Sequence, residues 1–190
     1  GNRSMQSEPV FQLHAVDLMY QRVPGSIGSW AIEGPKGWVV VESGPASTWE
    51  ALRSGLRALD VSPGDVSALL LTHIHLDHAG ATGSLVKQNP EITVYVHERG
   101  ARHMINPSKL LASASRLYGD DMDRLWGEFL PVPEANVRSL TGGEQVDAAD
   151  RQFEVAYTPG HASHHVSYFD RASGVAFVGD TAGIRPGTAL

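Results

Sequence analysis

An apolar strand that ends in a cluster of ligand-type side chains is the feature that most constrains this chain. Residues 67–72 (SALLLT) have an unbroken apolar centre, which is typical of a strand buried on both faces. Three of the nine histidines and one aspartate follow within six positions, as His73, His75, Asp77 and His78. Crowding these groups without a bound ion would leave repelling or unsatisfied polar atoms. We therefore predict a metal site at the end of an inner strand.

Two later segments also end a predicted strand in a metal-capable side chain. The stretch YTPGH delivers His161 and the stretch FVGD delivers Asp180, and a glycine directly before each of them lets the backbone turn closely. The chain has no cysteine, so nitrogen and oxygen must supply all the ligands. A set of imidazoles and carboxylates suits zinc, and also manganese or iron.

The order of predicted elements indicates a layered α/β domain. One apolar stripe at helical spacing predicts an amphipathic helix, and its members are Trp49, Leu52, Leu56 and Leu59. Residues 98–130 are predicted to form a helical block, with Pro107 and Gly119 as breaks. The remaining predicted strands are short and rich in Val, Ile and aromatic residues. They are residues 11–17, 29–33, 37–42, 92–97, 153–158, 165–170 and 174–180.

Composition narrows the class of protein. A length of 190 residues with 42% hydrophobic residues predicts one globular domain, which we place at 5–190, after a cloning remnant at 1–4. A formal net charge of −6 without a basic cluster argues against nucleic acid as a partner. No signal peptide and no apolar run of membrane-spanning length is visible, so we expect no membrane association and a cytoplasmic location. The partner is expected to be a small-molecule substrate, and homo-oligomer formation stays open.

The stretches THIHLDH, TPGH and GD, in this order, resemble the metallo-β-lactamase-fold hydrolase superfamily. The stretch TPGHASHH is similar to one in its glyoxalase II-like members. The resemblance implies an αββα sandwich of two mixed β-sheets with flanking helices. It also implies two divalent metal ions. The first would be held by His73, His75 and His161, and the second by Asp77 and His78. Asp180 would bridge both ions, and His165 would support the site.

The sequence departs from this family pattern in two places. The family usually has an aspartate before the glycine that ends an early strand, and here that strand ends in Glu42, Ser43 and Gly44. We therefore expect a supporting carboxylate to be missing from its usual place. The family also supplies one more histidine late in the chain, and no histidine follows Asp180. We expect from this that the chain lacks C-terminal elements of the fold and that its second metal position is weak.

The resemblance implies a metal-dependent hydrolase in which a metal-bound hydroxide attacks an ester, thioester or lactone. Asp77 is expected to be the catalytic residue, because its carboxylate can carry a proton to the leaving group. The alternatives are a mononuclear iron oxidoreductase of the persulfide dioxygenase type and a non-catalytic metal-binding relative.

The helical block at 98–130 is predicted to be a mobile cover of the metal site, because it lies between ligand segments. Three of its aromatic side chains could line a substrate pocket or pack the block onto the sandwich, and the pattern favours packing somewhat. They are Tyr118, Trp126 and Phe129.

Overall fold

The computed structural model of the chain describes residues 12–180. The predicted remnant at 1–4, the first residue of the predicted strand 11–17 and residues 181–190 lie outside the described residues. Within the described range, ten strands form two sheets, and six α-helices accompany them. No helix in this range is both long enough and apolar enough to cross a membrane.

The first sheet is mixed and has the same order in space as in the chain. Its strands are β1 (Leu13–Asp17), β2 (Gly28–Gly34), β3 (Gly37–Val41), β4 (Val66–Leu70), β5 (Thr93–His97) and β6 (Val137–Leu140). The first three strands pair antiparallel, and β3 to β6 pair parallel. The predicted inner strand is β4, in which Leu69 and Leu70 point into two different cores. The carboxyl ends of the parallel strands meet at one edge, where the predicted ligands begin.

The second sheet has the order β10 (Val175–Phe177), β9 (Val166–Asp170), β8 (Arg151–Tyr157) and β7 (Gln145–Ala148). All of its described pairings are antiparallel, where we expected a mixed sheet. The reason is its short connections, such as the link of Ala149 and Asp150 with φ of 52° and 63°, which suits a tight hairpin. Strands β6 and β7 were not predicted, because each buries only two of its four side chains.

The helices follow the apolar patterns of the sequence. They are α1 (Trp49–Ala58), α2 (Leu76–Ala79), α3 (Thr82–Gln88), α4 (Glu98–Ile105), α5 (Ser108–Tyr118) and α6 (Met122–Trp126). Helix α1 is the predicted amphipathic helix, and its Leu52 and Leu56 are fully buried. The block at 98–130 contains three helices that are separated near Pro107 and Gly119.

Two apolar cores hold these layers together. One core lies between the first sheet and the helices, and includes Leu56 of α1, Met104 of α4 and Val94 of β5. The other core lies between the two sheets and is built from strand residues, among them Phe153 and Tyr168. The described helices thus cover one outer face of a two-sheet sandwich. This layering fixes the strand ends that carry the predicted ligands.

Candidate metal centre

The predicted ligands come from the ends of neighbouring elements. His73 follows β4 after a gap of two residues, and the short helix α2 carries Asp77 and His78. His161 lies in the connection between β8 and β9, and Asp180 follows β10. The structure brings all six of these residues, including His75, to one edge of the sandwich.

Three imidazoles form the first ligand group. Ligand nitrogens of His73, His75 and His161 all lie within 4.8 Å of one another, and His75 Nδ1 is 3.0 Å from His161 Nε2. A tetrahedral zinc ion at about 2.0–2.1 Å holds its nitrogens roughly 3.4 Å apart, so the rings need only small adjustments. His73 is fully buried and the side chain of His161 is 37% exposed, so the group opens to solvent on one side.

The Asp180 carboxylate lies between this group and a second one. Its Oδ2 is 3.2 Å from His161 Nε2 in the first group and 3.2 Å from His78 Nε2 in the second. The ligand atoms of Asp77, His78 and Asp180 also lie within 4.8 Å of one another. One carboxylate oxygen thus adjoins both groups, which is compatible with a site for two neighbouring ions.

The inner imidazole of the first group has a free nitrogen that fits a metal ligand. His73 Nδ1 lies 2.9 Å from the Thr72 hydroxyl, which fixes the ring. His73 Nε2 is buried and makes no hydrogen bond, although Asp180 Oδ2 is 3.4 Å away. Burial, and then the neighbouring imidazoles, lower the pKa of His73 far below its usual range, so the ring is neutral. A neutral imidazole with an unpartnered nitrogen is the form that binds a divalent cation.

Glu42 supplies a buried carboxylate beside the site, so the expectation that this carboxylate is missing is wrong. The residue directly follows β3, is 5% exposed, and accepts a hydrogen bond from the Thr72 hydroxyl. Its Oε1 lies 3.5 Å from His78 Nδ1, while its Oε2 is buried without a hydrogen bond. Glu42 therefore supplies the carboxylate at the position where the family pattern has an aspartate. The spacing of Glu42 before Gly44 was the signal in the sequence.

His78 has carboxylates beside both of its ring nitrogens. Asp77 and Asp180 lie near Nε2, and Glu42 lies near Nδ1. Burial alone would lower the pKa of His78, but the Asp77 and Glu42 carboxylates outweigh it and raise that pKa to about 11. This part of the site therefore attracts positive charge strongly.

His165 supports the site through the backbone of Asp180. Its Nε2 accepts a hydrogen bond of 3.3 Å from the Asp180 amide, and its Nδ1 lies 2.9 Å from the Thr158 hydroxyl. Burial lowers the pKa of His165 to about 4, which leaves Nε2 free to accept. His165 thus contacts the backbone of a carboxylate ligand, next to the side chain that would bind the metal.

Two further side chains at the site were not predicted. Thr72 joins His73 to Glu42 through its hydroxyl, as described above. His164 Nδ1 accepts a hydrogen bond of 3.4 Å from the Ile74 amide, and its ring centroid is 5.5 Å from that of His75. The paired histidines of HASHH were a signal for His164, but only the second of them matched a family position.

Two cavities adjoin the ligands. One, of about 760 Å³, is lined by Asp77, His78 and Asp180 together with apolar side chains such as Trp30 and Phe177. The other, of about 670 Å³, is reached at His75 and extends between α4 and α5.

The three aromatic residues predicted near the substrate line neither of these cavities. Phe129 is 7% exposed in the core under the helices. Trp126 stacks on Tyr20 at 5.4 Å and meets Tyr118 edge-on at 5.3 Å. Their contact with a substrate therefore stays a prediction.

Two relatives are similar to this chain in sequence. The hydroxyacylglutathione hydrolase of Aeromonas hydrophila subsp. hydrophila is 29% identical over 152 residues, which are 80% of this chain and 45% of that protein. A metallo-beta-lactamase fold-containing protein of Sulfurisphaera tokodaii is 30% identical over 118 residues, which are 60% of this chain and 44% of that protein. The chain thus spans about half the length of these curated relatives.

Solved structures and a family model also match this chain. A subclass B3 metallo-beta-lactamase isolated from a soil metagenome library superposes with a TM-score of 0.65 at 26% identity, covering 88% of this chain and 59% of that one. The MIM-2 metallo-beta-lactamase gives a TM-score of 0.61 at 27% identity, covering 79% and 52% of the two chains. The model of the metallo-beta-lactamase superfamily matches residues 22–189. The resemblance seen in the motifs is confirmed, and this chain belongs to the metallo-beta-lactamase superfamily.

Proposed function

We propose that this chain is a metal-dependent hydrolase that uses two divalent ions, with zinc as the favoured metal, to cleave a small ester, thioester or lactone. The observation that carries the proposal is the shared position of Asp180, whose Oδ2 lies 3.2 Å from a nitrogen of each ligand group. His73, His75 and His161 would hold one ion, and Asp77, His78 and Asp180 would hold the other. When bound, such ions supply Lewis acidity that lowers the pKa of water and polarises a carbonyl oxygen.

The side chains of this chain would position the reactants and move a proton. The Asp77 side chain is 37% exposed and faces the cavity that also reaches Asp180, so it can meet both water and substrate. Its carboxylate would take a proton from the attacking water and pass it to the leaving oxygen or sulfur as the acyl bond breaks. Glu42 and Thr72, both buried, would hold the rings of His78 and His73 in place.

A thioester is the favoured bond within this class. Hydroxyacylglutathione hydrolases recur among the relatives, with 29% and 28% identity in the Aeromonas proteins. Hydroxyacylglutathione is itself a thioester, and this supports the bond type for our chain. A substrate panel is needed to identify the acyl group and the thiol of the substrate, because these relatives are aligned over 45% of their length.

The test combines metal analysis with a panel of ester, thioester and lactone substrates. The chain loaded with zinc, manganese or iron is expected to hold one ion firmly at His73, His75 and His161, to hold a second ion more weakly, and to hydrolyse a thioester. Oxygen consumption by the iron form without hydrolysis would instead favour an oxidoreductase. Asp180→Asn should lower both metal content and turnover, and the matched control Asp147→Asn, on an exposed position of β7, should change neither. Full metal content and turnover in Asp180→Asn would contradict the proposal.

A further inference from the structure

The cavity of about 670 Å³ beside His75 is lined by more positive than negative side chains, unlike the chain as a whole. Three cationic side chains and one carboxylate line it: Arg99, Arg102 and Glu98 from α4 and Lys109 from α5. The whole chain, in contrast, has a formal net charge of −6. We call this space the basic cavity.

The three cations of the basic cavity are available to a ligand. Among residues 12–180, none of Arg99, Arg102 and Lys109 forms an ion pair with a carboxylate, whereas five other Lys or Arg side chains do. The polar contacts of the two arginines are long, at 3.5 Å from Arg99 to the Tyr157 hydroxyl and 3.4 Å from Arg102 to His103. No ion pair within residues 12–180 therefore engages these three cations, and Glu98 alone offsets part of their charge in the cavity.

The basic cavity and the neighbouring cavity differ in the substrate group that each can accept. The neighbouring cavity, of about 760 Å³, contains the carboxylates of Glu42, Asp77 and Asp180 and no lysine or arginine. These carboxylates lie among the candidate ligands, where bound cations would offset them, while an anion in the basic cavity would meet mainly cationic side chains of the protein itself. Because both cavities reach the candidate ligands, a substrate bound across the site has one side suited to negative charge and one side suited to apolar groups.

We propose that the basic cavity binds an anionic group, a carboxylate or a phosphate, at one end of the substrate while the scissile bond lies at the metal centre. The inference rests on the hydrolase function proposed above and adds the class of substrate, an acyl compound with a negatively charged end. Guanidinium and ammonium groups bind both kinds of anion through charge-assisted hydrogen bonds.

Matched aryl thioesters of hexanoic acid and adipic acid test the inference, since their acyl chains have equal length and only the second ends in a carboxylate. The readout is the ratio of kcat/KM for the adipic to the hexanoic substrate in the zinc-loaded chain. Arg102→Gln and Lys109→Gln should each lower this ratio about fivefold, the effect of one partly exposed ion pair. The loss should shrink in about 1 M salt, where screening acts within roughly 3 Å. Arg116→Gln, an exposed position of α5 outside the cavity, should leave the ratio unchanged.

A binding measurement separates this inference from the proposed hydrolysis. Adipate and inorganic phosphate are titrated into the metal-free chain, and amide chemical shifts in α4 and α5 are followed by NMR. Binding of either anion that weakens about fivefold in Lys109→Gln, but not in Arg116→Gln, supports the basic cavity even if neither thioester is hydrolysed. The anion that binds more tightly identifies the group. A ratio that is unchanged in both cavity variants, or binding of neither anion, overturns the inference.

Discussion

Gly179 is the position at which a single methyl group should disturb the metal centre most directly. A Cβ placed there would lie 2.5 Å from Thr72 Oγ1 and 2.6 Å from His165 Nε2. Both neighbours belong to the hydrogen-bond network of the site, and the next residue is Asp180. Gly179 also has a φ of 50°, where side chains other than glycine are strained. Gly179→Ala therefore combines backbone strain with a steric clash.

Gly174 offers a matched control for the strain alone. It has a φ of 73°, and a Cβ added there would meet no atom within 4 Å. Both alanine variants should lose about 1–2 kcal/mol of unfolding free energy from the left-handed backbone. Only Gly179→Ala should lose a further ~1–3 kcal/mol, because its methyl group overlaps buried atoms.

Urea unfolding of the metal-free chains measures the two losses, and a zinc titration then measures the effect on the ligands. Displacement of Asp180 should weaken zinc binding in Gly179→Ala by about tenfold or more, as for other changes around metal ligands. Gly174→Ala should bind zinc like the parent chain. Equal unfolding free energies for the two variants, together with equal zinc affinities, would refute this reasoning.

Three further predictions concern stability, catalysis and motion. Asp170→Asn should lose about 3–5 kcal/mol of unfolding free energy at neutral pH, because it strands the buried guanidinium of Arg151, which lies 2.6 Å from the carboxylate. Burial raises the pKa of Asp170, but Arg151 outweighs it and holds that pKa below its usual value. The pair therefore stabilises the fold above about pH 4 and less as the pH falls further, and an equal loss at pH 7 and pH 3 in urea titrations would contradict this. Asp77→Ala should lower kcat/KM by at least about 100-fold. It should change the unfolding free energy by less than about 1 kcal/mol, because the Asp77 side chain is 37% exposed. Unchanged turnover with a large drop in melting temperature would instead assign Asp77 a structural role. Amides of the helical block at 98–130 should exchange hydrogen faster than those of β4, and equal protection would argue against a mobile cover.

The candidate ligands could be predicted because each of them follows an apolar strand pattern directly. The apolar centre of SALLLT predicts β4, and the histidine cluster begins three residues after the end of that strand. His161 and Asp180 likewise follow strand patterns and a glycine. Short-range signals of this kind depend on local spacing alone, so they can be recognised without knowledge of the tertiary structure.

The residues that hold the ligands could not be predicted in this way, because their contacts depend on sheet register. Parallel pairing places Val41 of β3 opposite Leu70 of β4. The following residues then run side by side, which brings the carboxylate of Glu42 to the hydroxyl of Thr72 across 30 positions of sequence. A shift in this register would separate the two, and an unbroken apolar run that is buried on both faces has no alternation to specify it.

The sequence pattern favoured packing of the aromatic residues in the helical block, but it could not predict how deeply each of them is buried. Tyr118, Trp126 and Phe129 are all aromatic and lie on neighbouring segments, but Phe129 is buried in the core while Tyr118 is 37% exposed. Their environments depend on the angle at which α5 and α6 meet the sheet. Helical spacing shows which residues share a face, but it does not show what that face contacts.

Features that would destabilise an ordinary core converge around Thr72. Glu42 has a φ of 63° and a buried oxygen without a hydrogen bond, and His73 has a buried nitrogen in the same condition. Strained backbone and unpaired buried polar atoms each cost about 1–3 kcal/mol, so they persist only where the surrounding structure holds them. Here β3 and β4 supply that support, since Val40, Val41, Leu69 and Leu70 are fully buried. The nitrogen of His73 and the carboxylates around His78 are the groups that a divalent cation would satisfy. The unpaired polar atoms therefore lie where metal binding would satisfy them, and this links the stability of the scaffold to the function we propose.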